Sequence, residues 1–381
     1  MPFALIPSEL MDEIVEHTDD YETIESLSLV ARRFVAPSQR FLFQTVSLTT
    51  NSACRQLHLL LTESPHLTKY VRSLAISVSD VRDCEHLDVL DLLGGLNSLA
   101  LTGNYDDGFS WVQISSAIRS SILRLVQLPT IQTLHLDSIK EVPSTFLHYA
   151  VHAFSQLTLI CVGVSYGDLS LHIPNPNVER LRHLTIIGCG KSMYTFMHGS
   201  TVRPSTRHLT QMNLILDEAV GEFLHASSFL DCLESLVLTW GFIPSETDRM
   251  QHPLDPPFLP NLRKLSLDII APSWKDALTF AGSFVNLAEK TPALEELSFI
   301  VEPAPSPLSD EPAQPPEPFA LFGTRLYAKR LPRLRRVQGF AKYEAEGVSL
   351  QEFEADMGAR FPGPRADGIL ACAVYRSGDA I

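Results

Sequence analysis

Three short stretches carry residue types at spacings that suit chemistry. Gly163-Val-Ser165-Tyr-Gly167 has the spacing of a nucleophile elbow, in which a serine on a tight strand-to-helix turn attacks an acyl group. An elbow needs a helix directly after the serine, to aim the hydroxyl and supply oxyanion donors. The residues that follow, Asp168-Leu-Ser-Leu-His-Ile-Pro174, alternate like a strand and stop at proline, so a glycine-rich turn is expected instead. Gly188-Cys-Gly190-Lys191-Ser192 matches the end of a phosphate-binding loop, yet the full pattern needs glycine where Thr185 stands inside an apolar strand. His148 and His152 share a helix face at i, i+4, but no glutamate follows the first histidine and no third ligand lies close in sequence. These grounds assign no catalytic residue, no metal and no cofactor.

Composition narrows the function classes further. The formal charge of −14 opposes nucleic-acid binding, which needs a basic surface. One basic run, Arg325, Lys329, Arg330, Arg333, Arg335, Arg336 and Lys342, has no acid between its ends; it reads as a solvated helix and strand edge, with a docking patch for an acidic partner as the alternative. The six cysteines, at 54, 84, 161, 189, 232 and 372, form no close pair, which is the usage of reduced thiols. No apolar run approaches the ~20 residues that span a bilayer, and Met1-Pro-Phe-Ala-Leu-Ile lacks the basic start and long apolar core of a signal peptide. No membrane association is expected, and the expected location is the cytoplasm, the nucleus or both.

The elements that must position any site are set by a recurring pattern, L-x-x-L-x-L. It appears as Leu96-x-x-Leu99-x-Leu101, Ile131-x-x-Leu134-x-Leu136, Leu181-x-x-Leu184-x-Ile186, Leu209-x-x-Met212-x-Leu214, Leu233-x-x-Leu236-x-Leu238, Leu262-x-x-Leu265-x-Leu267 and Leu294-x-x-Leu297-x-Phe299. Weaker copies lie at 71–76, 157–162 and 334–337, with residues 74 and 160 as the markers of the first two. Asn104 and Cys189 follow two of the copies at the position from which a repeat satisfies its turn from inside. Helical patterns at 55–62, 86–93, 111–125, 144–154, 217–226 and 274–290 alternate with these strands. The chain thus resembles an irregular leucine-rich-repeat protein, which implies parallel strands stacked in sequence order as one curved sheet. A conventional α/β domain with shuffled strand order is the alternative. Residues 302–318, dense in proline and acid, are expected to form a flexible loop, and 368–375 a terminal strand.

On each repeat strand the residues between the leucines point away from the core. His135 and Asp137, His183 and Thr185, Gln211 and Asn213, and Lys264, Ser266 and Asp268 are therefore expected to line an open face that selects a protein partner.

Ahead of the repeats the chain reads as helices. Pro7 suits a first helical turn, and Leu10, Met11, Ile14 and Val15 form a stripe on a helix from about Ser8 to His17. Asp19 and Asp20 make a turn and cap a second helix reaching about Arg33, with Ile24, Leu27, Val30, Ala31 and Phe34 on one face. Leu29 falls opposite that face. A third helix is expected to start at Pro37.

At these residues the chain resembles the F-box domain in the form common among fungal F-box proteins. The matching residues are Ile6-Pro7-x-Glu9-Leu10-x-x-x-Ile14, Ser28-Leu29-Val30 before Arg33-Phe34, and Phe41-Leu42-Phe43; Thr18 stands where the family usually has leucine and Ala31 where related sequences often have cysteine. The resemblance implies an α/β chain with an N-terminal helical F-box-like module over residues 1–44, then a curved leucine-rich-repeat-like solenoid with parallel strands over 45–381. It also implies that the helical module docks on the Skp1-type adaptor of a cullin-RING (SCF-type) ubiquitin ligase through Pro7, Leu10, Ile14, Leu29 and Val30. The repeats would then recruit a protein substrate, and the chain would perform no chemistry itself. Two alternatives stand beside this reading: a repeat scaffold with no ligase role, and a serine hydrolase using Ser165.

Overall fold

The computed structural model describes residues 7–18, 20–81, 87–104, 108–166, 180–197, 199, 202, 208–215, 230–241, 257–271, 290–303, 331, 333–343 and 350–376. The chain divides into two compact units, Met1–Pro174 and Asn175–Ile381. Among the described residues no helix is long and apolar enough to cross a membrane.

The first unit begins with α1 (Ser8–Glu16), α2 (Tyr21–Val30) and α3 (Arg32–Gln44). Met11 and Val15 from α1, Ile24 from α2 and Phe34 from α3 form a buried cluster, against which Leu27, Ala31, Phe41 and Leu42 pack. Asp20 caps α2: its carboxylate accepts the Glu22 and Thr23 backbone N–H groups at 3.3 and 2.9 Å. The Thr23 hydroxyl and then its N–H hold the Asp20 carboxyl below its ordinary range.

Two boundaries differ from expectation. The second helix stops at Val30, and α3 starts at Arg32 with Pro37 inside it. Ala31, extended at φ −152°, ψ 140°, ends one helix and caps the next. The early break turns Phe34 back onto Ile24, a tertiary gain that no local pattern encodes. Proline inside a helix omits one rung of the ladder, and here that rung falls at Arg33, an exposed residue.

The strands of this unit are β1 (Thr45–Leu48), β2 (Ser73–Ser77), β3 (Ser98–Thr102), β4 (Phe109–Ser110), β5 (Thr133–Asp137), β6 (Ile139–Lys140), β7 (Val142–Pro143), β8 (Gln156–Ile160) and β9 (Val164–Ser165). β1, β2, β3, β5 and β8 are parallel neighbours in sequence order. Leu74 and Ile76, Leu99 and Leu101, Leu134 and Leu136, and Leu157 and Leu159 are buried in register, so each repeat covers its apolar residues against the next. In the 157–162 copy, Leu157 and not Ile160 stands opposite Leu134, and Ile160 stands opposite Asp137. Both residues satisfy the sequence pattern, but only Leu157 with Leu159 keeps the alternation facing inward.

Between these strands lie α4 (Asn51–Glu63), α5 (Ser116–Val126) and α6 (Ser144–Ala153). The first starts earlier than expected because the Thr50 hydroxyl accepts the Ala53 N–H at 3.1 Å. The helix expected at 86–93 is a 3-10 turn, Leu87–Leu92. The one expected at 111–125 splits into a 3-10 turn, Trp111–Gln113, and α5, whose cap is Ser115.

Beyond the main strands, β4 pairs with β6 and β7 with β9. Left-handed residues Ser138, Glu141 and Cys161 (φ 55°, 55° and 50°) turn the chain between these layers. Gly103 is required here, since a Cβ would lie 2.2 Å from the Ser138 carbonyl oxygen.

The second unit contains β10 (His183–Ile187), β11 (Gln211–Ile215), β12 (Ser235–Gly241), β13 (Lys264–Ala271), β14 (Glu296–Pro303), β15 (Arg336–Tyr343) and β16 (Leu370–Arg376), with α7 (Gly190–Met197), α8 (Leu350–Arg360) and α9 (Pro362–Ala366). Its strands are again parallel and in sequence order. Leu184, Met212, Leu236, Leu265, Leu297 and Val337 share one buried row. Gly339 lets α8 approach the sheet: a Cβ there would lie 2.8 Å from the Met357 methyl. Burial, with Glu354 adding to it and Arg365 opposing, pushes the Cys372 thiol up to about 11. The helices expected at 217–226 and, almost entirely, 274–290, and the proline-rich stretch from 304 onward, lie outside the described residues.

Candidate docking surface

The helical module buries one edge of each apolar stripe and leaves the other in water. On α1, Met11 and Val15 are buried, whereas Leu10 and Ile14, one residue earlier on the same turns, remain 47% and 43% exposed. Pro7, just ahead of the helix, is exposed as well. On α2, Ile24 is buried and Leu27 half-buried, while Leu29 is 87% and Val30 68% exposed. Val30 was expected on the core face; ending α2 at that residue leaves it outside. All five residues that the resemblance singles out therefore present apolar surface to solvent.

Tyr21, which the sequence reading did not include, is 61% exposed at the start of α2, its ring 6.0 Å from that of Phe41. The only sequence signal for it is its place directly after the capping Asp20. Arg40 ties α3 to α1 through Asp12 at 3.2 Å. Thr18 closes α1 by donating its hydroxyl to the Ile14 carbonyl at 2.7 Å, so the residue that departs from the family pattern serves as a helix stop.

The repeat strands carry a different surface. His135, His183, Thr185, Asn213, Ser266 and Asp268 alternate with buried leucines and are half-buried; Gln211 and Lys264 are exposed. Lys264 pairs with Glu296 on the neighbouring strand at 3.0 Å. The Asn213 Oδ1 is shielded and accepts no hydrogen bond among the described residues. Asp137 corrects the expectation of an open-face residue: it is only 4% exposed, receives the Ser138 hydroxyl at 2.9 Å, and has His135 at 3.9 Å. Lying at the strand end beside the left-handed turn, its carboxylate is drawn inward to hold that turn. Cys161 sits close enough for Asp137 to help raise its thiol, after burial, which is the larger cause. Of the two turn residues, Cys189 is buried and its thiol donates to the Ile187 carbonyl, while Asn104 is exposed.

The stretches with catalytic spacing take structural places. Ser165 donates its hydroxyl to the Glu141 carbonyl at 3.0 Å, and the Glu141 carboxylate accepts from Ser110, so this serine belongs to a stitch across three successive repeats. Lys191 is exposed at the start of α7. His148 and His152 touch each other, Nε2 to Nε2, at 3.3 Å, and no cluster of three potential metal ligands occurs among the described residues. No protein-family model matches the chain, and no curated protein is similar enough to it to mark a relative.

Proposed function

We propose that this protein is a substrate-recruiting adaptor of an SCF-type ubiquitin ligase. Its helical module docks on a Skp1-type adaptor through Pro7, Leu10, Ile14, Leu29 and Val30, and its leucine-rich-repeat-like strands, forming a curved solenoid, hold the protein to be modified. It acts in the cytoplasm or nucleus and performs no chemistry of its own. The observation that carries this reading is the exposure of Leu29. A leucine 87% open to water on a helix whose opposite face is packed has no role within its own module. Buried in an interface it contributes ~1.5–3 kcal/mol.

Leu29→Asp leaves the core cluster untouched but would place an unpaired carboxylate in that interface, which is strongly unfavourable. Co-purification with the Skp1-type adaptor is expected for wild type and not for Leu29→Asp, with circular dichroism showing both folded. Equal recovery by both proteins, or recovery by neither, removes the ligase reading and leaves a repeat scaffold. A hydrolase using Ser165 is less well supported, because the hydroxyl is already engaged with a backbone carbonyl.

A further inference from the structure

A concavity of about 370 Å³ in the first unit is walled by Glu16 of α1, Arg40 and Gln44 of α3, and Lys69, Tyr70 and Arg72 from the chain entering β2. Arg40 and Gln44 are one turn apart and so face the same way. Arg72 is held at both ends: its backbone N–H donates to the Gln44 carbonyl at 2.9 Å, and its guanidinium to the Gly95 carbonyl at 2.9 Å. The Lys69 ammonium lies 4.9 Å from the centroid of the Tyr70 ring.

The charges here are incompletely matched. Arg40 is paired with Asp12. Among the described residues, no carboxylate forms a salt bridge with Lys69 or Arg72. A chain of net charge −14 has acids to spare, yet this hollow gathers three cations against one acid, Glu16. Residues that carry guanidinium and ammonium groups on one concave wall suit a phosphate. Glu16 opposes a bare, highly charged anion but accepts hydrogen bonds from hydroxyls, as does the Gln44 amide oxygen.

We propose that this hollow binds a small, soluble phosphate ester bearing hydroxyl groups, of the sugar-phosphate type. Lys69 and Arg72 hold the phosphate, and Glu16 and Gln44 accept the hydroxyls. The competing explanation is local: Arg72 beside the last carbonyl of α3 offsets the negative end of that helix's dipole and needs no ligand.

Isothermal titration calorimetry on the full chain separates the two, with ribose 5-phosphate, inorganic phosphate and ribose as probes. Ribose 5-phosphate should bind once per chain, roughly tenfold more tightly than inorganic phosphate, and ribose alone should not bind measurably. Lys69→Gln and Arg72→Gln should each weaken binding about tenfold. Glu16→Gln should narrow the preference for ribose 5-phosphate over inorganic phosphate. Arg72→Gln also loses the bond to Gly95 and Lys69→Gln the contact with the Tyr70 ring, so thermal melting must accompany both; Lys69, which makes no backbone hydrogen bond through its side chain among the described residues, is the cleaner variant. No saturable binding of ribose 5-phosphate, or equal binding by wild type and Lys69→Gln, overturns the proposal. So does binding to phosphatidylinositol 4-phosphate vesicles without binding of the soluble ester, which would make the site a lipid-headgroup site.

Discussion

The helical module and the repeat strands treat apolar side chains in opposite ways. Along the strands of both units the leucine rows are buried, because each repeat lies between neighbours that cover its inward face. Of the three helices, α3 also packs against residues 65–70 of the first repeat, whereas α1 and α2 bury their apolar side chains chiefly against α3. Of the ten large apolar side chains that stand exposed among the described residues, Leu10, Ile14, Tyr21, Leu29 and Val30 lie in these helices; the other five, Leu59, Leu92, Val112, Tyr166 and Phe258, come from five different segments. Isolated exposed apolar residues are ordinary on a protein surface, whereas this concentration within α1 and α2 is not. On the adaptor reading proposed above, the contrast is a division of labour: the helices offer apolar area that gains free energy on desolvation, and the strands offer polar groups better suited to choosing a partner than to binding it tightly.

The contrast breaks most sharply if inward and outward residues of α2 respond alike to truncation. Ile24→Ala should destabilise the first unit by ~2–5 kcal/mol, since Ile24 is fully buried. Leu29→Ala should stay within about 0.5 kcal/mol. Urea unfolding followed by circular dichroism measures both, and a comparable loss from Leu29→Ala would mean that this residue supports the module's own core.

A smaller effect tests the tightness of the strand region. Gly103→Ala should cost ~1–3 kcal/mol in the same assay, because its methyl would collide with the Ser138 carbonyl at a turn held from both sides. An unchanged midpoint would show that this turn yields, unlike the leucine rows. On the polar face, a double-mutant cycle on Lys264 and Glu296 should return a coupling of only ~0.2–1 kcal/mol, as both side chains are solvated. Reversing the charge of exposed Lys264 should accordingly alter the set of co-purified proteins while leaving the unfolding midpoint nearly unchanged.

The smallest effect concerns the start of α2. The Asp20 carboxyl titrates below its ordinary value in the folded chain. Its stabilisation is thus complete above the ordinary carboxylate range and fades as pH falls through the lower folded value. Wild type should lose helical signal on strong acidification in a step that Asp20→Asn lacks, read as the difference between their acid titrations by circular dichroism. Coincident titrations would show that the cap adds nothing to the helix.

Much of this molecule was legible from its residues in order. The leucine spacing calls for strands buried on one face, and the lengths between copies are long enough for the crossovers of parallel neighbours, which both units show. Helical geometry alone places Leu29 away from Ile24, since side-chain direction along a helix follows from backbone angles that each residue sets locally. What only tertiary structure decided was which of several locally equivalent residues is covered. Leu10 and Met11 are alike in sequence terms, yet α2 and α3 cover one and not the other. Leu157 and Ile160 both fit the repeat, and only pairing with β5 selects Leu157. The break at Ala31, the inward turn of Asp137, and the meeting of Arg40, Lys69 and Arg72 around one hollow join residues far apart in the chain. Burial is a property of what packs against a side chain, and those neighbours are brought together by the fold rather than by sequence adjacency.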